Sequence, residues 1–404
     1  MPQMRSLLVL WATGRCNLRC RYCYAAGVSQ EDMNFKTAKQ AIDLMGEWPL
    51  TIQFAGGEPL LNVGLVEAVC EYAATRLRDV RFAIQTNGTL IDKKAVQLLK
   101  RFRIAVGVSL DGRPEVNDYL RGNSLETARG IKLLAEHGLA TNLNAVVSDF
   151  NVGSLTGLVD MALYFGNIHG IGLDLLRKSG RAAAKPTAAE QGQQQPVGTG
   201  PATEAALRDA LRLLYRYLRK VNSALNFALS HKIRVREFER ARAAMNQAAA
   251  LAASVPSAAL AIAAAAPAAP TTAAVAAAPA APTFLPAPAP EAILPSPSGQ
   301  MLSRNYCYAA LARSFVVLPN GGCCPCGSLA LDENYQMGNV HSSVQPLALS
   351  CQCPKACVSC RYRAICPGGC PSRGLLNGGF DMLDCVMRKT AYQLIEKEKQ
   401  EEQV

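Results

Sequence analysis

Between residues 6 and 176 the chain alternates short apolar runs with amphipathic stretches. Residues 7–11 (LLVLW) are continuously apolar, as a strand buried on both faces should be. Ala38, Ile42 and Met45 then recur at helical spacing, and so do Leu65, Val66, Val69, Cys70, Ala73 and Leu77. Further strands are predicted over 51–55, 80–85, 104–110, 142–147 and 168–175. Helices are predicted around 93–102, 125–137 and 155–165. Six strand–helix units with short connections imply an α/β architecture, a parallel sheet with helices outside. Periodicity alone does not choose between an open sheet and a partial barrel. Either way, ligand sites belong beyond the carboxyl ends of the strands.

After Leu176 the pattern changes. The chain divides into a barrel-like unit (1–178), a Gly/Gln/Ala/Pro linker (179–202) and a helical segment completing that unit (203–242). An Ala/Pro-rich low-complexity linker (243–300) and a cysteine-rich end (301–404) follow. In the helical segment Leu207, Leu211, Leu214 and Leu218 share one face, and Arg208, Arg212, Arg216 and Arg219 another. Residues 243–290 carry no charge, but Pro256, Pro267 and Pro270 interrupt them and alanine is only mildly apolar. A tether is expected there, not a membrane span.

Charge and cysteine content narrow the class. The 404 residues carry a formal charge of +11 and 15 cysteines. Much of the positive excess lies between Leu207 and Arg242. It reads as a solvated helix face, with an acidic peptide or protein partner as the functional alternative. No basic stripe with interleaved aromatics supports nucleic acid. The apolar run before Cys16 lacks a small-residue cleavage site and reads as a strand, not a signal peptide. A reducing, cytoplasmic setting follows, in which C-x-x-C spacing points to metal rather than disulfides. Cys70, on the apolar helix stripe, reads as a buried thiol. His137, His169, His231 and His341 are scattered and read as structural.

The chemistry concentrates at 13–24. Cys16, Cys20 and Cys23 put three thiols on one short loop, spaced C-x3-C-x2-C. Three thiolates can hold three irons of a cubane cluster and leave the fourth iron for a ligand. A zinc site is the competing reading, but it normally takes four ligands in paired spacing. Gly56-Gly57-Glu58-Pro59 follows the second strand. Gln85 ends the third, Ser109 and Asp111 the fourth, and Asn144 lies on the fifth.

Cys16, Cys20, Cys23 and the aromatic Tyr22 resemble the signature of radical S-adenosylmethionine (radical SAM) enzymes. The resemblance implies a partial (β/α)6 barrel and a SAM-binding 4Fe–4S cluster, with reductive cleavage of S-adenosylmethionine to a 5′-deoxyadenosyl radical that abstracts hydrogen from a substrate. It also implies cofactor contacts from Tyr22, Gly56, Gly57, Glu58, Pro59, Gln85, Ser109, Asp111, Arg121 and Asn144. The glycine turn would hold the amino group, Ser109 and Asp111 the ribose, and Arg121 the carboxylate. No catalytic proton donor or acceptor is assigned; Tyr24 and Asp174 lie near the strand ends with open roles.

The end of the chain, with Cys307, Gly321-x4-Cys326, Cys357-x2-Cys360-x5-Cys366-x3-Cys370 and Cys385, resembles the SPASM domain appended to radical SAM enzymes. That likeness implies two auxiliary 4Fe–4S clusters, one on Cys357, Cys360, Cys366 and Cys385, the other on Cys307, Cys326 and Cys370. The second lacks a fourth ligand. Its corner is either open or filled by Cys323, Cys324, Cys351 or Cys353, and Cys323 or Cys324 could replace Cys326. The expected function is a maturase that modifies a peptide or protein substrate. An external electron donor such as a flavodoxin or ferredoxin would serve it, and leader recognition would need a separate leader-binding protein or the basic surface. A radical SAM enzyme of small-molecule cofactor assembly and a non-catalytic iron–sulfur scaffold are the alternatives.

Overall fold

The computed structural model describes residues 5–46, 49–183, 200–225, 231–254, 307–350 and 353–402. Most of the 179–202 linker, the stretch 255–300 and Cys351 lie outside the described residues.

The first half alternates as its hydrophobic pattern demands. The strands are β1 (Ser6–Thr13), β2 (Leu50–Gly56), β3 (Val80–Thr86), β4 (Ala105–Ser109), β5 (Thr141–Val147) and β6 (Ile168–Leu175). Between them lie α1 (Phe35–Leu44), α2 (Val63–Arg76), α3 (Lys93–Arg101), α4 (Pro114–Leu120), α5 (Ser124–Glu136) and α6 (Thr156–Phe165). Side-chain caps start several helices: Asn34 accepts from Thr37 N, and Asp92 from Ala95 N. The sequence reading missed α4, whose seven residues are too few to show a period. Neighbouring strands from β1 to β6 pair in parallel and in order. The core is the helix-facing side, where Leu8, Leu10, Ile52, Phe54 and Val106 are essentially inaccessible. Cys70 is fully buried in α2, and burial pushes its thiol up to about 12.

The remainder closes onto this frame. α7 (Glu204–Ala224) buries Leu207, Leu211, Leu214 and Leu218 and exposes Arg212, Arg216 and Arg219. β7 (Arg234–Val235) pairs with β6. α8 (Arg236–Ser254) runs past residue 242 into the stretch read as linker, because alanine is a good helix former. β8 (Ser314–Val317) pairs in parallel with β1, and β9 (Gly322–Cys324) and β10 (Gly338–Asn339) continue outward as antiparallel neighbours. One sheet of order β10-β9-β8-β1-β2-β3-β4-β5-β6-β7 therefore spans both ends of the chain. Its two end strands do not pair with each other, so the barrel is partial. α9 (Pro371–Asn377) precedes α10 (Met382–Glu401), which lies on α7 and α8. There Arg242 Nη1 donates to Glu398 Oε2 at 2.5 Å, and Arg219 reaches Glu398 and Glu401.

His169 and His231 are not isolated: their rings stack at 3.7 Å. His341 ties the cysteine-rich end to α1, with Nδ1 2.6 Å from Gln40 Oε1.

Candidate functional site

The cysteine loop leaves the carboxyl end of β1 and is braced from several directions. Arg181 Nη1 donates to Cys20 O at 2.9 Å, Arg21 N to Leu120 O at 2.9 Å, and Leu18 N to Cys16 Sγ at 3.4 Å. The Gly56-Gly57 turn lies directly on it: Gly57 N donates to Thr13 O, and Glu58 N to Arg15 O, both at 2.8 Å. A Cβ on Gly57 would come within 1.9 Å of Arg15 O, and one on Gly56, at φ +120°, within 2.4 Å of Thr13 O. These glycines are therefore demanded by backbone packing on the cysteine loop.

Cys16, Cys20 and Cys23 are close enough for their charges to interact. Burial raises both Cys16 and Cys20, Cys20 to about 11 against the pull of Arg121. They face a cavity of about 610 Å³, within the roughly 300–1,000 Å³ usual for small-molecule sites. Tyr22, Gly56, Gly57, Gln85, Ser109, Arg121 and Asn144 line it with them.

A row of polar side chains crosses the cavity wall. Gln85 Nε2 donates to Ser109 Oγ at 2.9 Å, and Asn144 Nδ2 to Gln85 Oε1 at 2.7 Å. The row fits because neighbouring strand positions are glycine. A Cβ on Gly107 would meet Gln85 Oε1 at 2.6 Å, and one on Gly172 would meet Asn144 Oδ1 and the Arg236 guanidinium at 2.7 Å. Glycines inside strands were the available signal for this close approach, and the sequence reading passed over them.

Three expected contacts sit elsewhere. Glu58 is fully buried, and its oxygens accept from Leu60 N (3.1 Å), Thr86 Oγ1 (2.7 Å) and Asn87 N (2.7 Å). Pro59 begins a short 3-10 turn behind it, also buried. Asp111 is 1% exposed. It takes both ends of the Arg121 guanidinium at 2.9 and 3.1 Å, Val146 N at 2.9 Å and the Tyr22 hydroxyl. None of the three lines the cavity. Glu58 holds the β3 turn, and Asp111, expected at a ribose, is bonded to Arg121 and Tyr22.

The cysteine-rich end sorts into two further groups. Cys307 lies within the fields of Cys326 and Cys370, and Ser372 Oγ bridges these two, 3.5 Å from Cys326 Sγ and 3.4 Å from Cys370 Sγ. Cys357, Cys360, Cys366 and Cys385 form the other, with Cys353 beside Cys357. Cys323 and Cys324 are buried within β9, both pushed up to about 12 by burial, and they face packed side chains. Neither is among the cysteines whose charge reaches Cys307. Among the described residues no three His, Cys, Asp or Glu side chains converge on a single-ion site.

Sequence reasoning missed an arginine–carboxylate network that joins β6 to the Cys370 loop. Asp174 accepts from Arg177 at 2.5 Å and Arg373 at 2.7 Å. Arg373 also donates to Asp384 at 2.5 Å and Leu175 O at 3.2 Å, and Asp384 accepts from Cys370 N at 2.8 Å. Burial alone would raise Asp174, but Arg177 and Arg373 hold it down at about 2. Tyr24 lies within the fields of Arg177, Cys326, Cys23 and Asp174, and its hydroxyl is raised, chiefly by burial.

Comparison with known proteins agrees with this geometry. Residues 12–160 match the Radical SAM superfamily model. An uncharacterized protein of Methanocaldococcus jannaschii is 40% identical over 180 residues, 42% of this chain and 62% of that protein. Fe-coproporphyrin III synthase of Methanosarcina barkeri is 35% identical over 163 residues, 38% of this chain and 40% of that enzyme. The match thus spans less than two thirds of either relative. Among solved structures, native anSMEcpe with bound AdoMet and Cp18Cys peptide shares the fold, with a TM-score of 0.65 and 18% identity over 98% of this chain and 97% of that one.

Proposed function

We propose, from the match of residues 12–160 to the Radical SAM superfamily model, that this chain is a radical SAM maturase acting on a peptide or protein. Cys16, Cys20 and Cys23 would hold a 4Fe–4S cluster. The donor set fits: three thiols on one loop, and an acid whose field reaches Cys16, Glu58, that is already committed to Leu60, Thr86 and Asn87. S-adenosylmethionine would lie beside it against Gly56, Gly57, Gln85, Ser109, Asn144 and Arg121. Bound together, cluster and cofactor supply one-electron cleavage of a sulfonium and hydrogen abstraction.

The protein's own work is positioning and shielding. Asp111 fixes the Arg121 guanidinium at the cavity wall, and the Tyr22 ring packs with Leu120 and Leu176, with Arg121 5.3 Å above it. Gln85, Ser109 and Asn144 present a preorganised polar edge. The other two cysteine groups would hold auxiliary clusters that pass electrons between substrate and an external donor such as a flavodoxin or ferredoxin. The observation that carries the reading is the convergence of three thiols, the glycine turn and this polar row on one cavity at the carboxyl ends of parallel strands.

Anaerobically reconstituted protein is expected to form 5′-deoxyadenosine when reductant is added, and the Cys20→Ala variant is not. Iron loading with no cofactor cleavage would return the reading to a scaffold. A mass shift in a co-expressed peptide, absent with Cys16→Ala, would show the substrate class. The similarity to Fe-coproporphyrin III synthase keeps a small-molecule substrate as the second reading, which a changed metabolite with no changed peptide would favour. No helix among the described residues is long and apolar enough to cross a membrane.

A further inference from the structure

The group formed by Cys307, Cys326 and Cys370 is bordered by hydroxyls. Ser372 is 2% exposed, and among the described residues its hydroxyl has no partner but sulfur: Cys326 Sγ at 3.5 Å and Cys370 Sγ at 3.4 Å. Burying a hydroxyl is unfavourable unless it is hydrogen-bonded, so Ser372 depends on these two thiols. Ser328 Oγ lies 3.2 Å from Cys326 Sγ. Arg177 Nη2 is directed at Cys370 Sγ from 3.8 Å, and the Ala309 and Ala310 amides bond the Cys307 sulfur.

The direction of the serine bonds follows from chemistry. A free thiol can donate to a hydroxyl oxygen, but a metal-bound thiolate only accepts. Once these cysteines ligate metal, Ser328 and Ser372 must turn their protons toward sulfur, Ser372 serving one of its two sulfurs at a time. Such a bond strengthens as the sulfur becomes more negative. It therefore favours the reduced state of a cluster over the oxidised one and raises its potential.

This group also adjoins the first site. Tyr24 lines the cysteine cavity and lies within the fields of both Cys23 and Cys326. Its ring sits 6.2 Å from that of Trp11, and a Cβ on Gly327 would meet Trp11 at 3.4 Å.

We propose that Ser372, assisted by Ser328, is a positioning residue that sets a reduction potential. By donating to the sulfurs of Cys326 and Cys370, it makes the cluster held by Cys307, Cys326 and Cys370 a better acceptor of one electron. No bond forms or breaks there; the cluster gains one negative charge, which the hydroxyl protons face. The inference rests on the radical reading above and deepens it by naming what tunes the auxiliary site nearest the cavity.

The test is potentiometry followed by electron paramagnetic resonance on the full chain, anaerobically reconstituted. The signal lost in Cys326→Ala identifies this group. Ser372→Ala should keep the wild-type iron count and lower that signal's midpoint by about tenfold in the reduction equilibrium, about 59 mV for one electron. Ser328→Ala should shift it in the same direction; no shift there confines the role to Ser372. Ser359→Ala, at an exposed position between Cys357 and Cys360, should leave every midpoint in place. An unchanged or raised midpoint in Ser372→Ala overturns the proposal, and so does the absence of any signal lost in Cys326→Ala. Loss of about four irons in Ser372→Ala overturns it too, because Ser372 would then be a ligand and not a donor to sulfur. Reductant-dependent 5′-deoxyadenosine is scored separately on the wild type. Cleavage with no midpoint shift sinks this inference alone; a midpoint shift with no cleavage sinks the radical reading and leaves the role of Ser372 standing.

Discussion

Asp111 carries the most at the residue scale. A buried carboxylate facing one guanidinium, one phenol and one amide cannot lose its charge cheaply, because Arg121 would be left buried and unpaired. Asp111→Asn is expected to lower stability by about 3 kcal/mol, seen as a lower urea midpoint, and to weaken S-adenosylmethionine binding as Arg121 loses its aim. An unchanged midpoint would mean that Arg121 finds another partner. The sequence made Asp111 legible as important but not as what it is. An Asp-Gly turn after a strand looks the same whether its carboxylate meets a ligand or a neighbouring arginine ten residues on. Glu58 likewise shows in the sequence only as part of a turn, not as the acceptor for Leu60, Thr86 and Asn87. Cysteines read more faithfully, since spacing sorts them and chemistry limits what thiols do, yet only burial separates Cys326 from Cys323 and Cys324. Full loading would give about twelve irons per chain. Cys326→Ala should lose about four of them and Cys324→Ala none, by colorimetric iron assay; equal losses would reopen the assignment.

At the scale of elements, the two loops that end β1 and β2 behave as one object. Gly57→Ala must push the Arg15 carbonyl aside, whereas Gly64, at the start of α2, has nothing within 4 Å of an added Cβ. Gly57→Ala is therefore expected to lose iron at the first site with the circular dichroism of the barrel retained, and Gly64→Ala to keep both. The helical counterpart is the seat of α10. Cutting the Arg242–Glu398 pair with Arg242→Ala should quicken hydrogen exchange along α10 and leave β1 to β5 unchanged; uniform exchange would show that the leucine face of α7 alone holds it. Apart from α4, the barrel helices were readable because they are long enough to show their period, and the strands because they are continuously apolar or bounded by turns. β8 to β10 were not: two to four residues each, set among cysteines, they have no pattern of their own and exist because β1 offers an edge.

For the whole molecule, the join between the halves is ionic as well as hydrogen-bonded. Arg373 is 3% exposed and reaches Asp174 in the first half and Asp384 in its own. The folded Asp174 carboxyl lies at about 2, below the roughly 3.9 of an unfolded aspartate. Its contribution to stability is thus complete above about pH 5, begins to fall near the unfolded value of about 4 and is lost as pH drops through about 2. The difference in thermal midpoint between wild type and Asp174→Asn should be constant from about pH 5 to 7 and shrink below about pH 4; a difference that grows on acidification would contradict the assignment. Nothing in the sequence announced this join, because its partners lie some two hundred positions apart.

Among the described strands of the sheet, β1 is made before the others yet gains its second neighbour late. One neighbour, β2, leaves the ribosome within about fifty residues, but the other, β8, follows three hundred residues later. Until then a hydrophobic strand has one bare side, a template for pairing with any passing chain. A product ending before residue 307 should therefore be prone to clump. The nascent chain also has an interval in which the loop after β1 is uncovered on the side that β8 later occupies, and metal delivery would have its easiest access then.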